Sequence, residues 1–227
     1  MRTIVYVDGY NLFYSRLSKT PYKWLDLVCL FEQHLLKNIL LPGTTAPACF
    51  NLVQVKYFTA PILGKLAKDP KLPARQAHYH RALKAGSSGR LEIINGFHLP
   101  GITKGKPIPP IPGVNRLKVE VMEEKQTDVN IALQMYRDAV RGQSECAVLC
   151  SNDSDLEPAL RLLSKDFPEL VLGLVLPRNS NGRKSGRLEK HVHWTRQHIR
   201  EEELAACQFS DRLLDHRNRT VRRPEEW

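Results

Sequence analysis

The sequence predicts an α/β protein: a mostly parallel central sheet flanked by helices on both faces, in the three-layer, Rossmann-like manner. Three observations carry this. The apolar runs RTIVYV at 2–7, CAVLC at 146–150 and LVLGLVL at 170–176 are continuous rather than alternating, as strands covered on both faces are. Segments with helical spacing of apolar residues lie between the strand-like runs. And 227 residues, 42% of them hydrophobic, are enough for one large domain with a real core.

The elements follow in order. The first run, 2–7, is β-branched and aromatic and ends at Asp8-Gly9, a strand entering a turn. Residues 11–17 begin a short helix. Over 24–41, Leu27, Val28, Leu30, Phe31, Leu35, Ile39 and Leu40 fall near helical spacing, and Pro42-Gly43 stops the pattern. Residues 51–59 alternate as a strand, 74–84 form a basic helix ended by Gly86, and 91–97 is a further strand. The segment 100–113 holds five prolines and reads as a loop through which neither a helix nor a central strand can run. A loop of that length is functional or disordered.

Alternation returns over 116–122. Residues 127–140 form a helix capped by Thr127, with Ala132, Leu133, Tyr136, Ala139 and Val140 as its apolar face. After the strand at 146–150, a helix over 155–165 tolerates Pro158 in its first turn. The strand at 170–176 leads into a basic loop at 178–187, then a short helix or last strand at 188–194. From about 196 the pattern suggests a terminal helix and then, in HRNRTVRRPEEW, a solvated tail. The domain reading is therefore 1–195, with the Pro-rich loop 100–113 inserted, followed by a C-terminal helical extension and basic tail at 196–227.

The net charge of +10 attracts polyanions, so nucleic acid is the first partner to consider. No stretch approaches the roughly 20 apolar residues of a membrane span. The N-terminal apolar run is too short for a secretory signal and meets Asp8 at once, which points to a cytoplasmic protein. The five cysteines are scattered, without paired CxxC spacing, and read as reduced thiols rather than zinc ligands. The His78/His80 and His191/His193 pairs lack the i, i+4 spacing of a helical zinc site.

Asp8, Asp128, Asp153 and Asp155 each follow a strand-like run or open a helix-like one. In a parallel sheet such positions gather beyond the carboxyl ends of the strands. Each alone also reads as a turn or cap residue. Gathered together, they would repel one another unless a hard cation, Mg²⁺ or Mn²⁺, lay between them. Asn11 stands three residues after Asp8, near enough to touch a substrate phosphate or a metal-bound water, and Ser151 and Asn152 lead into the acidic pair, placed to orient it. Arg178, Arg183, Lys184 and Arg187 in the basic loop, with Arg75 and Arg81 on the basic helix, are the candidate nucleic-acid contacts. Tyr10, Phe13 and Tyr14 read either as core packing or as base-stacking platforms.

VDGYNL, a TDV segment opening a helix, and SNDSDLEPAL together resemble the NYN domain, the LabA-like or DUF88 branch of the PIN-like nucleases. RQAHYHRAL and Gly96-Phe97 fit the same group, and the resemblance spans about 1–195. The family's acidic pattern falls on Asp8, Asp128, Asp153 and Asp155, and its Asn on Asn11; Asn152 replaces the usual Gly. The resemblance implies a PIN-like fold and an endoribonuclease in which Mg²⁺ or Mn²⁺ activates water to cleave RNA phosphodiester bonds, with those five residues catalytic. It also implies an alternative, because some members carry the name 6-hydroxy-3-succinoylpyridine 3-monooxygenase, an enzyme of bacterial nicotine breakdown. A nucleic-acid-binding module without catalysis is the third reading. The residues themselves give oxygenase chemistry no motif: no GxGxxG follows the first strand, and no haem-type cysteine or two-His-one-carboxylate set stands out. RNA is the expected partner, and a homo-oligomer is left open.

Overall fold

The computed structural model describes residues 1–64, 69–180 and 186–225. In chain order the strands are β1 (Arg2–Asp8), β2 (Asn51–Thr59), β3 (Leu91–Asn95), β4 (Phe97–Gly105), β5 (Leu117–Lys125), β6 (Cys146–Cys150), β7 (Val171–Val175), β8 (Trp194–Arg196), β9 (Arg212–Leu214) and β10 (Thr220–Arg222). The α-helices are α1 (Gly9–Leu12), α2 (Leu27–Leu30), α3 (Leu72–Gly86), α4 (Thr127–Val140), α5 (Glu157–Asp166) and α6 (Glu201–Ala206). Each of α1 and α2 runs on as one π-helical turn, Phe13–Leu17 and Phe31–Leu35.

Six strands form a parallel sheet in the order β3-β2-β1-β6-β7-β8. The chain winds outward from β1 to β3, then returns to place β6 on the other side of β1. This reversal makes the β1/β6 boundary the switch point where such sheets bind ligands. Side-chain alternation divides the core as a two-faced sheet requires. Val5, Val7, Cys146, Val148 and Cys150 face one apolar cluster with α2, α3 and α6. Ile4, Tyr6, Ala147 and Leu149 face the other with α4 and α5. The predicted three-layer α/β fold is what forms.

Several elements differ from their sequence reading. The helix expected over 24–41 starts at Leu27, where the Asp26 carboxylate accepts the Cys29 N–H at 3.0 Å, and its π-helical turn ends at Leu35. Pro100 lies inside β4, opposite Met122 in a two-stranded antiparallel ribbon with β5. A proline is tolerated there because each strand of a two-stranded ribbon has an open edge, where no donor is needed. Gln126 rather than Thr127 is the N-cap of α4, and the Thr127 hydroxyl donates to Glu124. The buried face of α4 is centred on Ile131 and Met135, while Leu133 and Val140 are exposed. Its pattern misleads because buried Asp138 belongs to the same face, accepting from Tyr6 Oη at 2.8 Å and pairing with Lys56 Nζ at 2.6 Å.

The expected solvated tail is also corrected. β9 and β10 pair as a hairpin against α3, with Val221 fully buried. Asp215 organises the hairpin, accepting the Arg217 and Arg219 N–H groups and the guanidinium of Arg81. Cys207, at the end of α6, brings its sulfur within 2.7 Å of Cys29 Sγ.

Lys56→Met would leave the Asp138 charge buried with only the Tyr6 hydroxyl beside it. The expected loss is about 3–5 kcal/mol in urea denaturation. Adding Asp138→Leu restores most of that stability, since an apolar pair can replace a buried ion pair of similar volume. A Lys56→Met midpoint equal to the parent's would show that the pair contributes nothing.

Candidate functional site

Asp8 is the last residue of β1 and the N-cap of α1. One of its oxygens accepts the Asn11 N–H at 2.9 Å, and the other accepts the Ser151 hydroxyl at 2.8 Å from the end of β6. Ser151 Oγ accepts the Asp153 N–H at 3.0 Å, and Asn11 Oδ1 accepts the Asn152 N–H at 3.1 Å. Asp153 caps the turn before α5 by accepting the Asp155 N–H at 3.0 Å. The ends of two adjacent strands are thus tied together across the switch point. Ser151 orients an acidic residue as expected, by donating to Asp8, while the Asn152 N–H donates to Asn11.

Gly9 makes the turn possible: a Cβ there would stand 2.6 Å from Phe58 O and from the Tyr57 ring. Gly96 does the same behind the ribbon, where a Cβ would lie 2.4 Å from Lys125 O. That close approach sets β5 so that Glu124 reaches the site. Asp8, Glu124, Asp128 and Asp153 line one pocket of about 500 Å³, with Tyr10 and Tyr14 on its rim. The sequence reading missed Glu124, because in an alternating run it resembles an ordinary solvated strand position. Asp155 is exposed and lies off the pocket, although its charge still acts on Asp128. Among the described residues, no three His, Cys, Asp or Glu side chains form a group that could hold a metal ion.

Burial raises the Asp8 carboxyl from 3.8 to about 6. The Asn11 and Ser151 hydrogen bonds oppose this rise, and the Asp128 and Glu124 charges add to it. Asp128 is raised by burial and then by Asp153 and Asp155; Glu124 is raised by burial, against its bond from Thr127. Asp8 therefore changes charge near neutral pH, as a proton-transferring group does.

A second, apolar cavity of about 280 Å³ adjoins the acidic pocket across Tyr10 and Tyr14, which line both. Phe13, Tyr57, His80 and Lys23 also line it. Tyr57 is buried in the wall of the apolar cavity, and the Asp8 charge adds to the rise that burial imposes on its hydroxyl. Tyr10 Oη lies 3.1 Å from Ala60 O and 3.0 Å from His98 Nε2 on β4, which seats the base of the ribbon against the site.

None of the described basic candidates lines either pocket. Arg81 is engaged by Asp215 at 3.1 Å, Arg75 pairs with Asp69, and Arg178 reaches Gln197 at 3.4 Å. Arg187 is exposed, while Arg183 and Lys184 lie outside the described residues. No helix among the described residues is long and apolar enough to cross a membrane.

No family model matches the chain. Over 238 residues, covering 100% of this chain and 75% of the relative, it is 39% identical to a Pseudomonas putida (strain DSM 28022 / S16) protein named 6-hydroxy-3-succinoylpyridine 3-monooxygenase HspA. A solved structure of a Vibrio parahaemolyticus protein of unknown function has the same fold, at TM-score 0.52 and 16% identity, over 88% of this chain and 94% of that one. This relative, 39% identical over the whole of this chain, overturns the endoribonuclease expectation and with it the nuclease and hydrolase reading. The spacing of the four aspartates reports where carboxylates gather; proton transfer uses the same residue type at the same strand ends as metal-assisted hydrolysis.

Asp8→Asn keeps the shape of the side chain and an acceptor for Asn11. The parent Asp8 favours folding when protonated, a contribution complete below about 3.8 and lost as pH rises through about 6. The stability of the variant relative to the parent should therefore rise by about 3 kcal/mol between pH 4 and pH 8 in urea titrations. A difference independent of pH would mean that Asp8 is not held near 6.

Proposed function

Because the chain belongs to the family of the protein named 6-hydroxy-3-succinoylpyridine 3-monooxygenase HspA, we propose that it is a monooxygenase acting on a hydroxylated pyridine at the carboxyl edge of its sheet. The observation that carries this is the 39% identity across the whole chain. An aromatic-lined cavity beside a carboxylate that titrates near 6 supports it.

The chemistry of such a substrate fits a base in this position. In a 6-hydroxypyridine, ring carbon 3 lies para to the hydroxyl-bearing carbon. Removing the hydroxyl proton therefore delivers electron density to carbon 3, which already carries the succinoyl group. As the new C–O bond forms there the C3–acyl bond must break, the acyl carbon passing to water as a carboxylic acid. Asp8 is the group placed to take that proton, since it is ionised above about 6 and its carboxylate is fixed by Asn11 and Ser151. Tyr10 and Tyr14 line both spaces, so a ring seated among them meets the apolar cavity on one side and the acidic pocket on the other. A monooxygenase adds one atom of O₂ to its substrate and releases the other as water, with two electrons and two protons from a reductant such as a dihydronicotinamide or a reduced flavin.

Incubation with 6-hydroxy-3-succinoylpyridine, ¹⁸O₂ and NADH, with and without added flavin, tests the reading by mass spectrometry. One ¹⁸O atom should enter the organic product. The rate should climb as pH rises through about 6 and then level off, because the base works only when ionised. Asp8→Asn should lower the rate by roughly 10²–10⁴-fold and remove that limb. Absence of ¹⁸O from every product under all of these conditions would refute the monooxygenase. An Asp8→Asn enzyme with the parent rate would remove Asp8 from the chemistry.

A further inference from the structure

The apolar cavity has an internal polarity that the reaction itself does not explain. Lys23 lines it, and among the described residues this side chain makes no hydrogen bond or ion pair. Lys23 is held in place by its neighbour Trp24, which is fully buried with its indole N–H donating to Ser210 O at 3.0 Å. His80 reaches the same cavity from α3, packed edge-on against Tyr57 with ring centroids 6.1 Å apart. Its Nε2 is buried and has no partner. A buried polar atom left without a partner is uncommon and marks a place where a ligand atom can complete the bond.

The remainder of the wall is aromatic and aliphatic, with Tyr10, Phe13, Tyr14 and Tyr57 presenting ring surface. At about 280 Å³ the space sits near the lower bound of small-molecule sites, roughly 300 Å³, and suits one heteroaromatic ring with a short tail. On the far side of Tyr10 and Tyr14 stand Asp8, Glu124, Asp128 and Asp153. An anionic tail is repelled from that side and attracted to Lys23, so the electrostatics favour one orientation of a ring carrying a carboxylate.

We propose that this cavity binds its ligand as an anion, with the ligand's carboxylate paired to Lys23, its ring between the tyrosines, and the carbonyl that joins ring to tail hydrogen-bonded to His80 Nε2. The site is thus specific for heteroaromatic carboxylates over their neutral counterparts. Lys23 acts as the specificity determinant and His80 as a positioning residue. This rests on the monooxygenase reading only for the identity of the ring. Burial, with the Lys84 charge, holds His80 down at about 4, so it meets the ligand as a neutral imidazole.

The test is binding without turnover, by calorimetry under anaerobic conditions, using 6-hydroxy-3-succinoylpyridine and its primary amide. The parent should bind the acid about ten- to a hundredfold more tightly than the amide, the range expected for a charge-assisted contact. Lys23→Met should bind the acid as weakly as the amide, and Lys23→Arg should restore the preference. His80→Phe should weaken acid and amide alike, leaving their ratio unchanged. Matching melting temperatures and circular dichroism establish that each variant is folded. Equal parent affinities for acid and amide, no binding of either, or a Lys23→Met variant that keeps the preference would overturn the proposal. A preserved acid preference in a protein that incorporates no ¹⁸O would leave this site standing and remove only the reaction.

Discussion

The site depends on the burial of one carboxylate. Asp8 ends the central strand at the point where the sheet reverses direction, and its oxygens accept an N–H and a hydroxyl. Burial outweighs those two hydrogen bonds and lifts the carboxyl toward the neutral range, and this is what separates Asp8 from the many aspartates that merely cap helices. The surrounding structure follows from keeping it there. Gly9 must lack a side chain because Tyr57 and Phe58 occupy that space, and Ser151 must follow β6 directly so that its hydroxyl spans the gap between strands. The parallel register fixes both, since Val7 pairs with Tyr57 on one side and with Cys150 on the other.

The fold was legible because its central strands are covered on both faces and their apolar runs are continuous. No alternating reading competes with RTIVYV or LVLGLVL. The parts that were not legible involve a polar group acting as a core residue or an apolar residue acting at the surface. Asp138 is buried on α4 because Lys56, far away in sequence, meets it, so the expected apolar face is displaced: Tyr136 and Ala139 pack on the core while Leu133 and Val140 are exposed. Val221 is buried inside a run of charges, so the closing hairpin read as a tail. Pro100 read as a loop residue because its strand has an open edge that no local pattern announces.

The site was legible in position but not in chemistry. Sequence reasoning brought Asp8, Asp128, Asp153 and Asn11 to one strand edge, and there they stand, with Glu124 added by the ribbon. Residue type and topology report where carboxylates gather and nothing about what they act on. On the proposed reading, that information lies on the other side of Tyr10, in Lys23, Tyr57 and His80, which come from three separate segments and form no spacing motif. Tyr10, Phe13 and Tyr14 were weighed only as core packing or as platforms for bases. The cavity they line offers ring surface to a single small molecule instead.

The two pockets together imply a division of labour within one short stretch of chain. Residues 8–14 run from the buried acid through Gly9 to three aromatic side chains, so one helical turn forms a wall of both the acidic pocket and the apolar cavity. A ligand seated on the aromatic side lies against the Tyr10 and Tyr14 rings that also border the acidic pocket. Asp8 is already buried, and the Asp128 and Glu124 charges add to the rise that burial imposes on it. On the proposed reading, the acidic side also turns the negative end of a substrate toward Lys23.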